Sequence, residues 1–64
     1  MFKKKIALSI ERQRDMRDQT IRLRNESAEY LQNGYAKTAK ILEKRANTIA
    51  KILKRGYMYQ NEIN

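Results

Sequence analysis

Glu29-Tyr30-Leu31-Gln32-Asn33-Gly34-Tyr35-Ala36-Lys37 contains the only strong helix breaker in the first 55 residues, the pair Asn33-Gly34. Two segments whose apolar positions mirror each other flank that pair. Before it, Met16, Thr20, Leu23, Ser27 and Tyr30 follow in steps of four and three. After it, Ala39, Leu42, Ala46, Ile49 and Leu53 follow in steps of three and four. Folded back at the glycine, the two series become facing layers: Tyr30 on Ala39, Ser27 on Leu42, Leu23 on Ala46, Thr20 on Ile49 and Met16 on Leu53. In nearly every layer a bulky residue meets a small one, as a close-packed antiparallel helix pair requires if summed volumes are to stay even. The expected fold is all-α, an antiparallel hairpin of two long helices.

Working outward from the turn, helix one is expected over about residues 4–32, the turn at 33–34, and helix two from about 35 to at least 55. The 64 residues then form a single domain. Proline is absent, and a glycine or asparagine at positions 33 and 34 supplies the left-handed cap that other residues adopt at a cost. Lys54 and Arg55 are cations placed where the end of helix two favours them. Gly56 leaves two readings. If helix two stops there, Phe2, Ile6, Leu8 and Ile10 lack a partner. If it continues towards residue 62, the mirror register sets Gly56 opposite Gln13, Gln60 opposite Ser9 and Ile63 opposite Ile6. Continuation is the preferred expectation, since a glycine inside a helix costs only about 1 kcal/mol against alanine.

Composition narrows the chemistry. There is no cysteine and no histidine, which removes disulfides, the usual zinc sites, Ser-His and Cys-His nucleophiles and the ordinary neutral-pH general base. The seven carboxylates are scattered. No catalytic, cofactor or metal residues are assigned, and no small-molecule substrate is expected. The apolar run Ile6 to Ile10 is too short for an export signal or a membrane span. A cytoplasmic, non-enzymatic protein is the expectation.

So short a chain buries a small fraction of its surface, and without disulfide or metal a second subunit is the remaining source of stability. Ile21, Ala28 and Leu31 on helix one, with Ile41 and Ile52 on helix two, form apolar strips beyond what one hairpin covers. They are the expected dimer or partner surface, and a homodimer forming a four-helix bundle is the expected assembly.

The net charge is +8, and it is uneven: residues 35–56 carry seven basic groups and one acid, Glu43. Lys37, Lys40, Lys44, Lys51 and Lys54, with Arg55, form a stripe opposite the Ala/Leu/Ile layers of helix two. Such a stripe can track a phosphate backbone or simply solvate an outer face. On helix one, Asp18-Arg22 and Arg22-Glu26 are spaced for i,i+4 pairing. Arg55-Gly56-Tyr57-Met58-Tyr59 mixes cation and aromatics as a base-stacking segment does, or as the capped end of a bundle does.

Particular residues carry three resemblances. Ala39, Leu42, Thr48, Ile49 and Lys54-Arg55-Gly56 resemble a helix-turn-helix of the resolvase or transposase kind, which would imply DNA reading. In this chain Glu43 stands at the turn position where that motif has glycine, and an uninterrupted helix is expected instead. Ala28, Tyr30, Leu31, Gly34, Tyr35, Ala39, Leu42 and Ala46 resemble half of a tetratricopeptide repeat, without a second copy to stack on. In size and plan the chain resembles the Rop family of plasmid regulators, hairpins that dimerise to hold RNA, a likeness of architecture alone. The functional expectation is a small regulatory or adaptor protein of the phage- or plasmid-accessory type, docking on a protein partner. The alternative is nucleic-acid binding through the helix-two lysines. Residence on a membrane is disfavoured, because the apolar face of helix two is alanine-rich and shallow.

Overall fold

The computed structural model describes residues 4–62, running β1 (Lys5–Ala7), α1 (Ile10–Gln32), α2 (Ala36–Arg55), β2 (Tyr57–Tyr59) and a 3-10 turn, Gln60–Glu62. The two helices pack against each other as a hairpin, and β1 and β2 pair antiparallel at the end remote from the turn. The molecule is mostly helical, as expected. The two three-residue strands add a short ribbon to the helical hairpin.

The turn is built as the sequence requires. Gly34 is left-handed at φ 87°, whereas Asn33 keeps φ −90°. The Gly34 N–H donates to the Leu31 carbonyl (3.2 Å) and the Tyr35 N–H to the Tyr30 carbonyl (2.8 Å). These two bonds satisfy the carbonyls that a helix end leaves open, and the usual apolar contact accompanies them. Here it is the Tyr30 ring edge-on to Tyr35, with centroids 6.1 Å apart.

Between the helices, nine of the ten mirrored positions are buried or half-buried; only Tyr30, next to the turn, stays in water. Ala46 is completely enclosed and Ala39 nearly so. The small polar members of the layers satisfy themselves locally. Ser27 Oγ donates to the Ala39 carbonyl across the pair (2.8 Å), and Thr20 Oγ1 to the Met16 carbonyl on its own helix (2.9 Å). Serine and threonine can therefore occupy a close-packed seam without leaving a polar atom dry and unpaired.

The open end departs from expectation. α1 begins at Ile10, not near Lys4, because Ser9 caps it: extended at φ −68°, ψ 161°, its side chain accepts from the Arg12 N–H (3.1 Å). Gln13 Nε2 reaches back to the Leu8 carbonyl (3.0 Å) and fixes the bend into β1. At the other end α2 does not continue past Gly56, which is left-handed at φ 86° and donates to the Ile52 carbonyl. The chain passes instead into β2, paired Lys5↔Tyr59, Ile6↔Met58 and Ala7↔Tyr57. The helical mirror set Ile63 opposite Ile6. Met58 takes that place, because a strand advances about 3.3 Å per residue against about 1.5 Å in a helix and spans the same length in fewer residues. Positions Phe2 and Ile63 lie outside the described residues.

Alternation sends Ile6 and Met58 to one side of the ribbon and Lys5, Tyr57 and Tyr59 to the other. The inner side completes a small core of Leu8, Ile52 and Met58, with Ile6, Met16 and Leu53 against it. Of the residues that a shortened helix two leaves without helical partners, Ile6 and Leu8 thus find cover in this core, whereas Ile10 stays exposed.

Candidate nucleic-acid interface

Antiparallel packing of right-handed helices fixes which exposed residues share a side. Reversing one helix preserves the sense in which the chain winds past the seam, so the residue after each seam position points to the same flank on both helices. The residue before it points to the opposite flank. Arg24, Ala28 and Leu31 of α1 accordingly line one shallow depression with Glu43 of α2. Ile41, Arg45 and Thr48 of α2 line another, with Gln19 and Leu23 of α1.

This geometry separates the expected partner surface. Ile21 (53 % exposed), Ala28 and Leu31 (62 %) lie on the first flank, and Ile41 (56 %) lies on the second. Ile52 is not on the surface at all. It is 6 % exposed, covered by Leu8 and Met58, and is corrected from partner surface to core. The five residues form no single patch. The strips are readable from the sequence as strips, but their placement needs the handedness argument, and the covering of Ile52 needs the ribbon.

The lysine stripe survives intact. Lys37, Lys40, Lys44, Lys51 and Lys54 are all exposed along α2, an unbroken helix from Ala36 to Arg55. The helix continues through Glu43 and Lys44, so the helix-turn-helix resemblance has no turn here. From Lys37 to Lys54 the stripe extends about 25 Å at 1.5 Å per residue. Arg55–Glu62 is the one ion pair among the described residues, so none of the five lysines has a carboxylate partner there. The Asp18-Arg22-Glu26 spacing on α1 is likewise not closed into a pair.

Arg55 leaves the stripe. Its guanidinium donates to Glu62 and to the Tyr57 carbonyl (3.0 Å), and lies 4.7 Å from the Tyr57 ring centroid and 5.0 Å from that of Tyr59. Lys5 Nζ stands 4.8 Å from the Tyr57 centroid, and the two tyrosine rings meet edge to face at 5.5 Å. Glu62 also accepts from the Tyr59 N–H (2.7 Å). The segment therefore closes the ribbon, with cations already seated on its aromatic rings. The Tyr59 hydroxyl titrates above the ordinary phenol range, chiefly through its side-chain hydrogen bond with Tyr57, then desolvation and the Tyr57 and Glu62 charges, against the opposing pull of Arg55.

Within the described residues no helix is long and apolar enough to cross a membrane. Chemically, the arrangement offers a row of ammonium groups on a rigid rod, suited to an extended anion. Comparison with known protein families, curated proteins and solved structures finds no match.

Proposed function

We propose that the chain is a small, non-enzymatic nucleic-acid-binding regulator that docks on a phosphate backbone through the lysine face of α2. One observation carries this reading: five exposed lysines occupy one side of an unbroken helix, and none of them is ion-paired to a carboxylate among the described residues. Each phosphate contact releases condensed counterions, so affinity should fall log-linearly with salt. Gel retardation of duplex DNA and RNA at low salt tests the proposal. Lys37→Gln, Lys44→Gln and Lys51→Gln together should lower the salt slope by up to about 2.7, at roughly 0.7 to 0.9 per lost contact. No retardation of either nucleic acid by the unaltered protein would end it.

A second reading, docking of a protein or of a second copy of this chain, is favoured by Ile21, Leu31 and Ile41, which remain more than half exposed. A dimer built on them would melt at a temperature that rises with protein concentration. A folded monomer at high micromolar concentration in sedimentation would remove the dimer.

A further inference from the structure

We infer that the phosphate-binding surface turns the corner from the lysine face onto one flank of the hairpin, where it recruits Arg14, Arg17 and Arg24 of α1, and that its ligand is a nucleic-acid duplex. This inference rests on the nucleic-acid reading and extends it to the other helix.

α1 segregates its charge by face. Ile10, Arg14, Arg17, Ile21, Arg24, Ala28 and Leu31 follow in alternating steps of four and three, so they form one stripe along the helix, and every member is exposed. Asp15, Glu26 and Glu29 stand one place before seam positions and so face the opposite flank, whereas Glu11 and Asp18 stand at i−3 and i+4 from Arg14 and border it on the outer side of α1. Arg17 and Arg24 accordingly have no acid at i±3 or i±4, whereas Arg14 has Glu11 and Asp18 there. The arginine stripe borders α2 at Glu43, as the shared depression of Arg24, Ala28, Leu31 and Glu43 shows. On α2 the matching stripe is Ala36, Lys40, Glu43, Asn47, Ala50 and Lys54, again in steps of four and three. The flank thus presents Arg17, Arg24, Lys40 and Lys54 against Glu43, with Arg14 at its outer edge; Lys37, Lys44 and Lys51 follow on the outer face of α2, and Lys44 also lines the depression of the opposite flank. The opposite flank is mixed: Arg12, Glu11, Asp15 and Glu62 surround one stretch of it.

Two arguments favour a duplex. Packed helix axes generally lie about 8–10 Å apart, a spacing comparable with the roughly 6–12 Å widths of duplex grooves. Single-strand binders rely on open aromatic faces for stacking. In this chain Tyr57 and Tyr59 already have cations over their rings, and the exposed Tyr30 and Tyr35 meet edge to face rather than as parallel platforms. The apolar members of the flank do not favour a lipid surface. Ile10, Ile21 and Leu31 are about 15 Å apart along the helix, and arginines stand between them, so no continuous apolar face exists to enter a bilayer. Arginine suits phosphate, to which its planar fork donates two bonds at once.

The experiment compares two double variants of equal charge change in the full chain: Arg17→Gln with Arg24→Gln, and Arg22→Gln with Arg45→Gln on the other sides. All four positions are exposed, and coincident melting curves verify that the fold is kept. The probes are a short duplex DNA, one of its strands alone, and phosphatidylserine-containing vesicles. The Arg17/Arg24 variant should lose up to about 1.8 of the duplex salt slope, whereas the Arg22/Arg45 variant should keep the slope of the unaltered protein. Equal losses in the two variants would show binding that follows net charge and overturn the inference. A slope lowered by the lysine triple variant but not by Arg17/Arg24 would overturn it while leaving the lysine proposal standing. Failure of the unaltered protein to bind duplex would remove both. Tighter binding of the single strand, or of vesicles, than of duplex would overturn the choice of ligand.

Discussion

Ala46→Leu puts the helix seam to its sharpest test. Ala46 is completely enclosed, midway along α2 and set by the mirror opposite Leu23. The substitution adds three carbon atoms. With room to receive them, their burial would be worth about 0.8 kcal/mol each. In a seam where small residues are what lets the helices approach, they must instead push α1 away or adopt strained rotamers, at a cost of about 1 to 3 kcal/mol. For a domain near this size each kcal/mol displaces the melting midpoint by about 4 to 8 °C, so Tm should fall by at least several degrees. Lys44→Leu, two positions away and exposed, is the control and should alter stability by no more than about 0.5 kcal/mol. Thermal melts followed by circular dichroism, with urea titration of the same proteins, give both numbers. Equal effects of the two substitutions, or a stabilised Ala46→Leu, would refute the seam.

Gly56→Ala should destabilise by about 1 to 2 kcal/mol, because φ 86° penalises any Cβ even though nothing lies within 4 Å of it; urea titration of this variant beside Gly34→Ala measures the penalty at both caps. Glu62→Gln retains an oxygen to accept from the Tyr59 N–H and loses only the charge facing Arg55. It should therefore cost less than Glu62→Ala, and under about 1 kcal/mol for so accessible an ion pair; denaturation of the two variants side by side checks the order. Tyr57→Phe removes the largest cause of the raised Tyr59 titration and should bring it back towards the ordinary phenol range, read by ultraviolet titration of tyrosinate. Since the raised value favours the neutral phenol in the folded chain, its contribution to stability is complete below the unfolded value near 10 and fades as pH rises through the folded one.

The hairpin is legible in the sequence for a physical reason. Its layers recur over five repeats on each helix, and Asn33-Gly34 admits few conformations. The ribbon is not, because Lys5-Ile6-Ala7 and Tyr57-Met58-Tyr59 are three residues each, too few for a period of two to register. Signals do exist: Ser9 with Glu11 in the first turn marks a helix start, and Gly56 directly before Tyr-Met-Tyr marks a stop and then good strand formers. Continuation of helix two is the cheaper reading only while the cost of one buried glycine is weighed without the gain of pairing β1. Ile52 is misplaced for the same reason, since only the ribbon covers its side of α2. On the candidate surface, the lysines can be read from spacing alone. The arginines of α1 cannot be added until the direction of each flank is fixed, because in linear order they alternate with acids, most of which the helix sends to the opposite flank.

The antiparallel pairing of Lys5 with Tyr59 imposes an order of assembly. Joining those residues across an unstructured chain closes a loop of about fifty residues, roughly 2 kcal/mol more costly in chain entropy than closing one of about four, at about 0.6 kcal/mol per doubling. Three residue pairs do not offset that cost by themselves. Once the glycine turn has brought α1 and α2 alongside, the two strands are already neighbours and pair without further search. The ribbon is then the last element to form and the first to open, and Leu8 and Met58 cover Ile52 only while it is closed. Part of this small core thus belongs to the final step of folding, and its exposure to water is governed by a three-residue clasp.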